Sequence, residues 1–143
     1  MVLSRNDDGH PFEYGRIIAI FHADVVHNKK ETEQSPPVSK EILWVRWFKR
    51  DTSYSAGFKR KHLHRLQFLP SDDPAAFGFL DPDEVIRGTH LIPSFRYGPT
   101  EDLLEGESLG RAPGELDDWK YFYVNIFVDR DMYMRYAGGG VGH

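Results

Sequence analysis

Several acidic side chains are spaced closely enough along the chain to share a proton or a metal ion. Asp129 and Asp131 are separated by one residue, and Asp81, Asp83 and Glu84 fall within four positions. Paired carboxylates are used for general acid–base catalysis and also bind Mg²⁺. The same spacing suits a helix cap and a turn, and these structural roles are the interpretation that the pattern favours.

Two histidines raise the possibility of a metal centre. His62 and His64 are two residues apart, so on a strand they would point to the same side. With Asp83 or His90 they would supply two imidazoles and one further ligand for an open zinc or iron site. The basic residues around them would repel a cation, which favours solvated histidines. His62, His64 and Asp83 are the metal-ligand candidates of this sequence, and we expect no cofactor.

Other catalytic motifs are missing from the sequence. The chain has no cysteine, which excludes disulfides and thiolate zinc sites and agrees with an intracellular location. It has no Gly-x-Ser-x-Gly motif, and the glycine-rich end lacks the Gly-Lys-Ser/Thr of a phosphate-binding loop. No run approaches the ~20 apolar residues of a membrane span. These observations predict a protein that is not an enzyme.

Charge is unevenly distributed along the chain. The net charge is −4, and the acids concentrate in residues 72–84 and 101–118. A basic strip on an acidic protein is typical of a site for phosphate groups or an acidic partner. An ordinary solvated face is the competing interpretation. The strip consists of Arg46, Lys49, Arg50, Lys59, Arg60, Lys61 and Arg65.

The densest strand-type run lies in residues 40–50, and we expect residues 41–49 to form the central strand. Aliphatic and aromatic residues alternate there with period 2, which predicts two different faces. A β-branched run over residues 13–26 predicts the preceding strand, joined to the central one by a long hairpin. The alternating residues are Leu43, Val45 and Trp47 on one face, and Trp44, Arg46 and Phe48 on the other.

Further strands are predicted over residues 61–69 and 121–128, and residues 85–95 are expected to be a strand pair or one strand broken at Gly88. Residues 77–80 (Phe-Gly-Phe-Leu) are expected to be a small buried knot within a loop, and Asp129 to cap a short helix. Five or so short strands with long connections favour a mainly β fold. We expect a small, partly open β-barrel with long polar loops and a short C-terminal helix.

The predicted organisation has three parts. Residues 1–12 are expected to be a flexible lead-in, residues 13–136 a single β-rich domain, and residues 137–143 a glycine-rich tail.

Several predicted strands resemble those of bromo-adjacent homology (BAH) domains, over about residues 14–131. Residues 15–21 are similar to the first strand of that family and residues 43–50 to its Trp-Phe-x-Arg strand; residues 83–90 and 122–129 resemble two later strands. The matching positions are Arg16, Ile17 and Ile20 in the first pattern, and Trp47, Phe48 and Arg50 in the second. The chain departs from the family pattern in the basic, histidine-bearing residues 60–68.

BAH domains are chromatin-associated interaction domains, some of which bind methylated histone lysines in aromatic cages. The resemblance therefore implies a BAH-like β-barrel, a histone tail or chromatin factor as partner, and a nuclear location. The chain also resembles uncharacterised fungal proteins with a similar glycine-rich end, some of suspected mobile-element origin. They carry no activity that could be transferred.

An aromatic cage needs two to four rings around a cation, each contact contributing about 0.5–2 kcal/mol. Six residues are candidates if the central and last strands lie near each other, while rings packed in a sheet core are the competing interpretation. Trp47 is placed in the core. The candidates are Trp44, Phe48, Tyr54, Trp119, Tyr121 and Tyr123.

Three functions of different classes follow. The first is a non-enzymatic protein-interaction module whose partner is a histone tail or chromatin factor. The second is nucleic-acid binding through the basic strip, with an affinity that falls steeply with salt. The third is a metal-dependent enzyme that uses the two histidines with Asp83, or Asp129 with Asp131.

Overall fold

The structure, a computed structural model, describes residues 1–5, 9–26, 28–29, 33–34, 36–100, 108–114 and 118–137. Strands dominate these residues, so the predicted mainly β fold is confirmed. The strands are β1 (Val2–Leu3), β2 (Phe12–Val25), β3 (Asn28–Lys29), β4 (Glu33–Gln34), β5 (Val38–Arg50), β6 (Arg65–Phe68), β7 (Phe77–Leu80), β8 (Leu91–Pro93) and β9 (Phe122–Val124). Short 3₁₀ turns are Phe58–Arg60, Pro82–Glu84 and Phe95–Tyr97, and the helix α1 is Arg130–Ala137.

Strands β2 and β5 form the long antiparallel hairpin that the sequence predicts. Their register runs from Tyr14 opposite Phe48 to Val25 opposite Val38. It shifts by one residue at Ile18, which is the extra residue of a β-bulge. The two strands together are the framework on which the other strands assemble.

The seven-stranded antiparallel sheet has the order β1-β2-β5-β6-β9-β8, with β7 also paired to β5. Strand β5 lies at its centre, because β2 occupies one of its edges while β7 and β6 share the other. The end strands β1 and β8 do not pair with each other in the described chain, so the sheet is not closed. Strands β3 and β4 form a separate pair.

One core cluster lies between β5, β6, β9 and α1. The rings of Phe48 and Phe68 stack with centroids 4.2 Å apart, and Phe122 packs edge-on to both at 5.5 and 5.7 Å. Met132 of α1 is fully buried against this cluster. The packing of aromatic strand residues against this short helix positions α1 on the sheet.

A second cluster lies under β1, β5 and β7. It joins Val2, Leu43, Val45 and Leu80, with Trp47 half-buried against them. Val2 is only 4% exposed, so the described start of the chain belongs to the folded body and is not the flexible lead-in that the sequence predicts.

Three predicted strands are shorter in the structure. Lys61 adopts a left-handed conformation with φ of 56°, His62 forms only an isolated bridge with Gly57, and β6 begins only at Arg65. Residues 85–95, predicted as a strand pair or one strand broken at Gly88, form a strand only at β8. Strand β9 ends early because the Asn125 side chain accepts a hydrogen bond from the main-chain N–H of Phe127 at 3.1 Å.

Residues 77–80 are a strand and not the buried knot that the sequence predicts. Strand β7 pairs with β5 from Leu43 opposite Leu80 to Arg46 opposite Phe77. Gly78 allows this pairing, because a Cβ at that position would lie 2.9 Å from Nε1 of Trp47. The strand leaves Phe79 68% exposed, so its aromatic residues are not all core.

The predicted N-cap of the C-terminal helix is confirmed. Oδ1 of Asp129 accepts a hydrogen bond from the main-chain N–H of Met132 at 2.8 Å. At eight residues α1 is far shorter than a membrane span, and the described chain contains no helix long and apolar enough to cross one. The glycine-rich tail, beyond Ala137, lies outside the described residues.

Candidate functional site

Four tyrosines surround one arginine at the start of β6. The guanidinium carbon of Arg65 lies 4.2 Å from the ring centroid of Tyr54 and 4.5 Å from that of Tyr121. Tyr97 adds a third ring at 5.1 Å, and its hydroxyl accepts a hydrogen bond from Nη1 of the arginine at 3.0 Å. Tyr123 packs edge-on to Tyr54 at 6.0 Å. We call these five residues the tyrosine cluster.

The arginine of this cluster is held by a buried carboxylate. Nε and Nη2 of Arg65 donate to Oδ2 of Asp51 at 2.9 and 2.7 Å, and both residues are only 9% exposed. Burial on its own would raise the pKa of Asp51, but hydrogen bonds from Ser53 and Arg65 outweigh it and hold that pKa below the usual value. Burial also raises the pKa of Tyr54. The cluster therefore contains a permanently charged, fully paired cation.

Half of the predicted cage residues thus lie together, but around a cation of the protein itself. Tyr54, Tyr121 and Tyr123 are in the cluster, and Tyr97 is a member that sequence reasoning missed. Tyr97 lies in a short 3₁₀ turn with no strand periodicity, so no sequence signal connected it with the others. A methylated lysine could enter this cage only by displacing Arg65 from its carboxylate.

The other three predicted cage residues lie elsewhere. Phe48 is 7% exposed in the first core cluster. Trp119 is half-buried and packs edge-on to Phe95 with centroids 4.9 Å apart. Trp44 is on the sheet surface formed by β2, β5 and β7. The structure therefore does not bring the six predicted residues into one cage.

Trp44 belongs to a group of rings that lies outside both core clusters. Phe79 is its register partner across β5 and β7, and Phe77 is two residues away on the same strand, with its centroid 6.1 Å from that of Trp44. Phe21 of β2 lies 6.5 Å from Trp44 and 6.4 Å from Phe79. Phe21 is 45% exposed and Phe79 is 68% exposed. We call these four residues the aromatic face.

The two sides of β5 explain where the aromatic face lies. Leu43 and Val45 are buried in the second core cluster, and Trp44 between them points to the opposite side of the sheet. Sequence reasoning identifies Trp44 but not its three partners, and it places two of them, Phe77 and Phe79, in a small buried knot within a loop. Their i, i+2 spacing was the signal for a strand with one aromatic side.

The basic strip divides into buried and exposed residues. Arg46 is 1% exposed and Arg65 is 9% exposed, so neither is available on the surface. Lys49 is exposed, and Arg50 is half-buried. The remaining three members are exposed and consecutive, at the turn that precedes β6: Lys59, Arg60 and Lys61.

Arg46 is buried because it belongs to an ion cluster around Asp118. That carboxylate is fully buried and pairs with Arg16 and with Arg111, the latter at 2.5 Å. Nη1 of Arg46 lies 4.0 Å from Oδ2 of the same aspartate. The guanidinium of Arg46 also lies 4.2 Å from the ring centroid of Phe68. This cluster connects β2 and β5 to the segment that precedes β9.

The predicted metal ligands do not form one site. His62 is exposed and its Nδ1 lies 3.2 Å from the carbonyl oxygen of Ser55. His64 is half-buried, with its ring centroid 4.6 Å from that of His10. Asp83 is exposed in the turn after β7. No group of three or more histidine, aspartate or glutamate side chains in the described part of the chain could hold a metal ion.

The two carboxylate clusters have structural partners. Arg87 donates to Asp129 at 2.5 Å and to Asp131 at 2.6 Å, while Asp129 also caps α1. Asp81 accepts a hydrogen bond from the main-chain N–H of Asp83 and so begins the turn after β7. Each cluster fits the cap or turn that its spacing suggests.

Comparisons with protein-family models, with curated proteins and with solved structures find no match to this chain.

Proposed function

We propose that this chain is a non-enzymatic protein-interaction module that binds its partner through the aromatic face. The supporting observation is the exposure of neighbouring rings on a regular sheet surface, with Phe79 68% exposed and Phe21 45% exposed. Aromatic residues are enriched at the centres of protein interfaces, where they lose contact with water on binding. A sheet surface also holds its side chains in fixed positions, so little ordering is required when a partner binds.

The resemblance to BAH domains decides which partners should be tested first. The first partners to test are histone tails and chromatin factors, and the expected location of the protein is the nucleus. The tyrosine cluster is not the binding site in this proposal, because Arg65 and Asp51 already occupy it.

The proposal is tested by selecting peptides on the wild-type protein and measuring their affinity for two matched variants. The Phe79→Ser variant removes the most exposed ring of the aromatic face. Phe95→Ser removes a ring with the same exposed fraction, 68%, beside Trp119. We expect peptides selected on the wild-type protein, or methylated and unmodified histone tails, to lose about tenfold or more in affinity for Phe79→Ser and to keep it for Phe95→Ser. A selection in which no peptide distinguishes the wild-type protein from Phe79→Ser would contradict the proposal.

A second candidate function is nucleic-acid binding, and one observation favours it. Lys59, Arg60 and Lys61 are consecutive and exposed, and Phe58 beside them is 42% exposed, so cations and a ring for base stacking lie together. Binding to single-stranded DNA should then weaken steeply as salt increases. Substituting the three cations with glutamine should remove it, while Lys40→Gln on β5 should not. Salt-independent binding, or none at low salt, would reject this function.

A further inference from the structure

Strand β7 has one edge without a described strand partner. The main-chain N–H of Trp47 donates to the carbonyl oxygen of Ala76 at 2.8 Å, so the main-chain groups of Trp47 point toward the side of β5 on which β7 lies. This direction alternates from residue to residue along antiparallel strands, and by the register of β7 with β5 the N–H and C=O groups of Phe77 and Phe79 point away from β5. Within the described chain β7 pairs with β5 alone, and no other main-chain group bonds to these outward groups.

Acidic residues lie at both ends of this open edge. Residues 70–86 contain five acids and no lysine or arginine. Asp72 and Asp73 precede β7, and the turn Pro82–Glu84 follows it directly. Asp72 and Asp83 are exposed. Each end of the edge therefore carries negative charge that a cationic partner would complement.

A groove continues from the C-terminal end of β7. It has a volume of about 350 Å³ and lies between β1 and residues 83–86. Leu3, which is 65% exposed, and Arg5 line the side formed by β1, while Asp83 and Glu84 line the other. Nη2 of Arg5 donates to Glu84 at 3.0 Å, so a chain that extends beyond the edge would meet the apolar Leu3 on one side, and Asp83 and an already paired Glu84 on the other.

The geometry points to strand addition at the β7 edge as the binding mode of this module, with a basic, extended peptide as the partner. The inference rests on the proposed function and specifies its partner. The peptide backbone would bond to the outward groups of Phe77 and Phe79. Its alternate side chains would pack on the aromatic face, and lysines or arginines near its ends would lie against the acidic turns. Strand β7 has four residues, or about 13 Å, so the basic residues should be roughly four to six positions apart.

Charge also argues against a second copy of the chain as the occupant. Two β7 edges paired antiparallel would bring Asp72 and Asp73 of one copy against the acidic turn of the other. Like charges placed opposite each other oppose such pairing, and charged edges are a common protection against it. The acidic ends of the edge attract a basic peptide and repel the same acidic ends of a second copy.

Three seven-residue peptides, whose terminal residues are six positions apart, test the inference. The first alternates valine and threonine between terminal lysines, the second has glutamates in place of the lysines, and the third is the lysine peptide with N-methyl groups along one edge. We expect the lysine peptide to slow amide hydrogen exchange at Phe77 and Phe79, and to bind about tenfold or more tightly than either of the others. Replacing Asp72 and Asp83 together by asparagine should weaken binding several-fold at low salt, and Asp24→Asn on β2 should not.

The outcomes separate this inference from the proposed function. Equal binding of the lysine and glutamate peptides, indifference to N-methylation, or no binding of the lysine peptide would overturn strand addition by a basic peptide. The proposed function would still stand if peptides from the selection lost affinity for Phe79→Ser. If Phe79→Ser weakened neither the selected peptides' binding nor, tested in the same way, that of the lysine peptide, both ideas would fall.

Discussion

Arg65 donates hydrogen bonds from Nε and Nη2 to the same carboxylate oxygen of Asp51, at 2.9 and 2.7 Å, and three tyrosine rings lie within 5.1 Å of its guanidinium. The sequence assigned Arg65 to a basic surface strip and two of those rings to a cage for an external cation. The structure joins the two features, because the arginine itself is the cation inside the rings.

Removing the charge of Asp51 should be strongly destabilising. Asp51→Asn leaves the Arg65 guanidinium buried without its counter-ion, which costs about 3–5 kcal/mol in comparable buried pairs. We expect a lower urea midpoint with little change in slope, measured by circular dichroism. Asp72→Asn removes an exposed acid as the control and should change the free energy of unfolding by less than about 0.5 kcal/mol. Equal effects of the two variants would show that the buried pair contributes nothing.

The ion cluster around Asp118 gives a second prediction. Asp118→Asn leaves Arg16 and Arg46 close together without the carboxylate that they share, at a site where the aspartate is fully buried. We expect a loss of about 3 kcal/mol or more in the free energy of unfolding. Asp24→Asn is the exposed control, and the measurement is again urea unfolding. A variant as stable as the wild-type protein would mean that other groups hold the arginines in place.

Stability should fall at mildly acidic pH because of His64. Burial, and then the positive charge of Arg50, lower the pKa of His64 below its usual value of 6.5. The unfolded chain therefore binds more protons below about pH 6.5, and the free energy of unfolding decreases as the pH falls through that range. The contribution of Asp51 to stability is lost at lower pH, where protonation of its carboxylate would end the pairing with Arg65.

Unfolding in urea between about pH 7.5 and pH 5 checks this expectation. His64→Gln should reduce the pH dependence, and His62→Gln, which removes an exposed histidine, should leave it unchanged. His10, Tyr136 and Arg50 are the groups that face His64. An unchanged pH dependence in His64→Gln would contradict the assignment.

The predictable part of the fold is the part that local patterns determine. The hairpin of β2 and β5 follows from period-2 alternation, and the cap at Asp129 follows from its position before a helical segment. The unpredicted parts depend on contacts between distant segments. Arg46 is buried because Asp118 lies near it, and Tyr97 reaches Arg65 from a turn without strand character. No spacing within a single segment contains this information.

Strand β7 is the clearest example of an element that depends on a contact between distant segments, and a substitution at Gly78 tests that dependence. An added Cβ would lie 2.9 Å from Nε1 of Trp47, so Gly78→Ala should push β7 away from β5 and cost about 1–3 kcal/mol of unfolding free energy. Gly88→Ala is the matched control, since a Cβ there meets no atom within 4 Å. The control should be neutral or slightly stabilising.

The same pair of variants connects the fold to the proposed binding surface. If Trp47 positions β7, Gly78→Ala should also shift the NMR signals of Phe77 and Phe79 and lower the affinity of any ligand for the aromatic face. Gly88→Ala should do neither. Equal stability of the two alanine variants would show that Trp47 can move aside without cost. In that case the position of the β7 edge would not depend on its glycine.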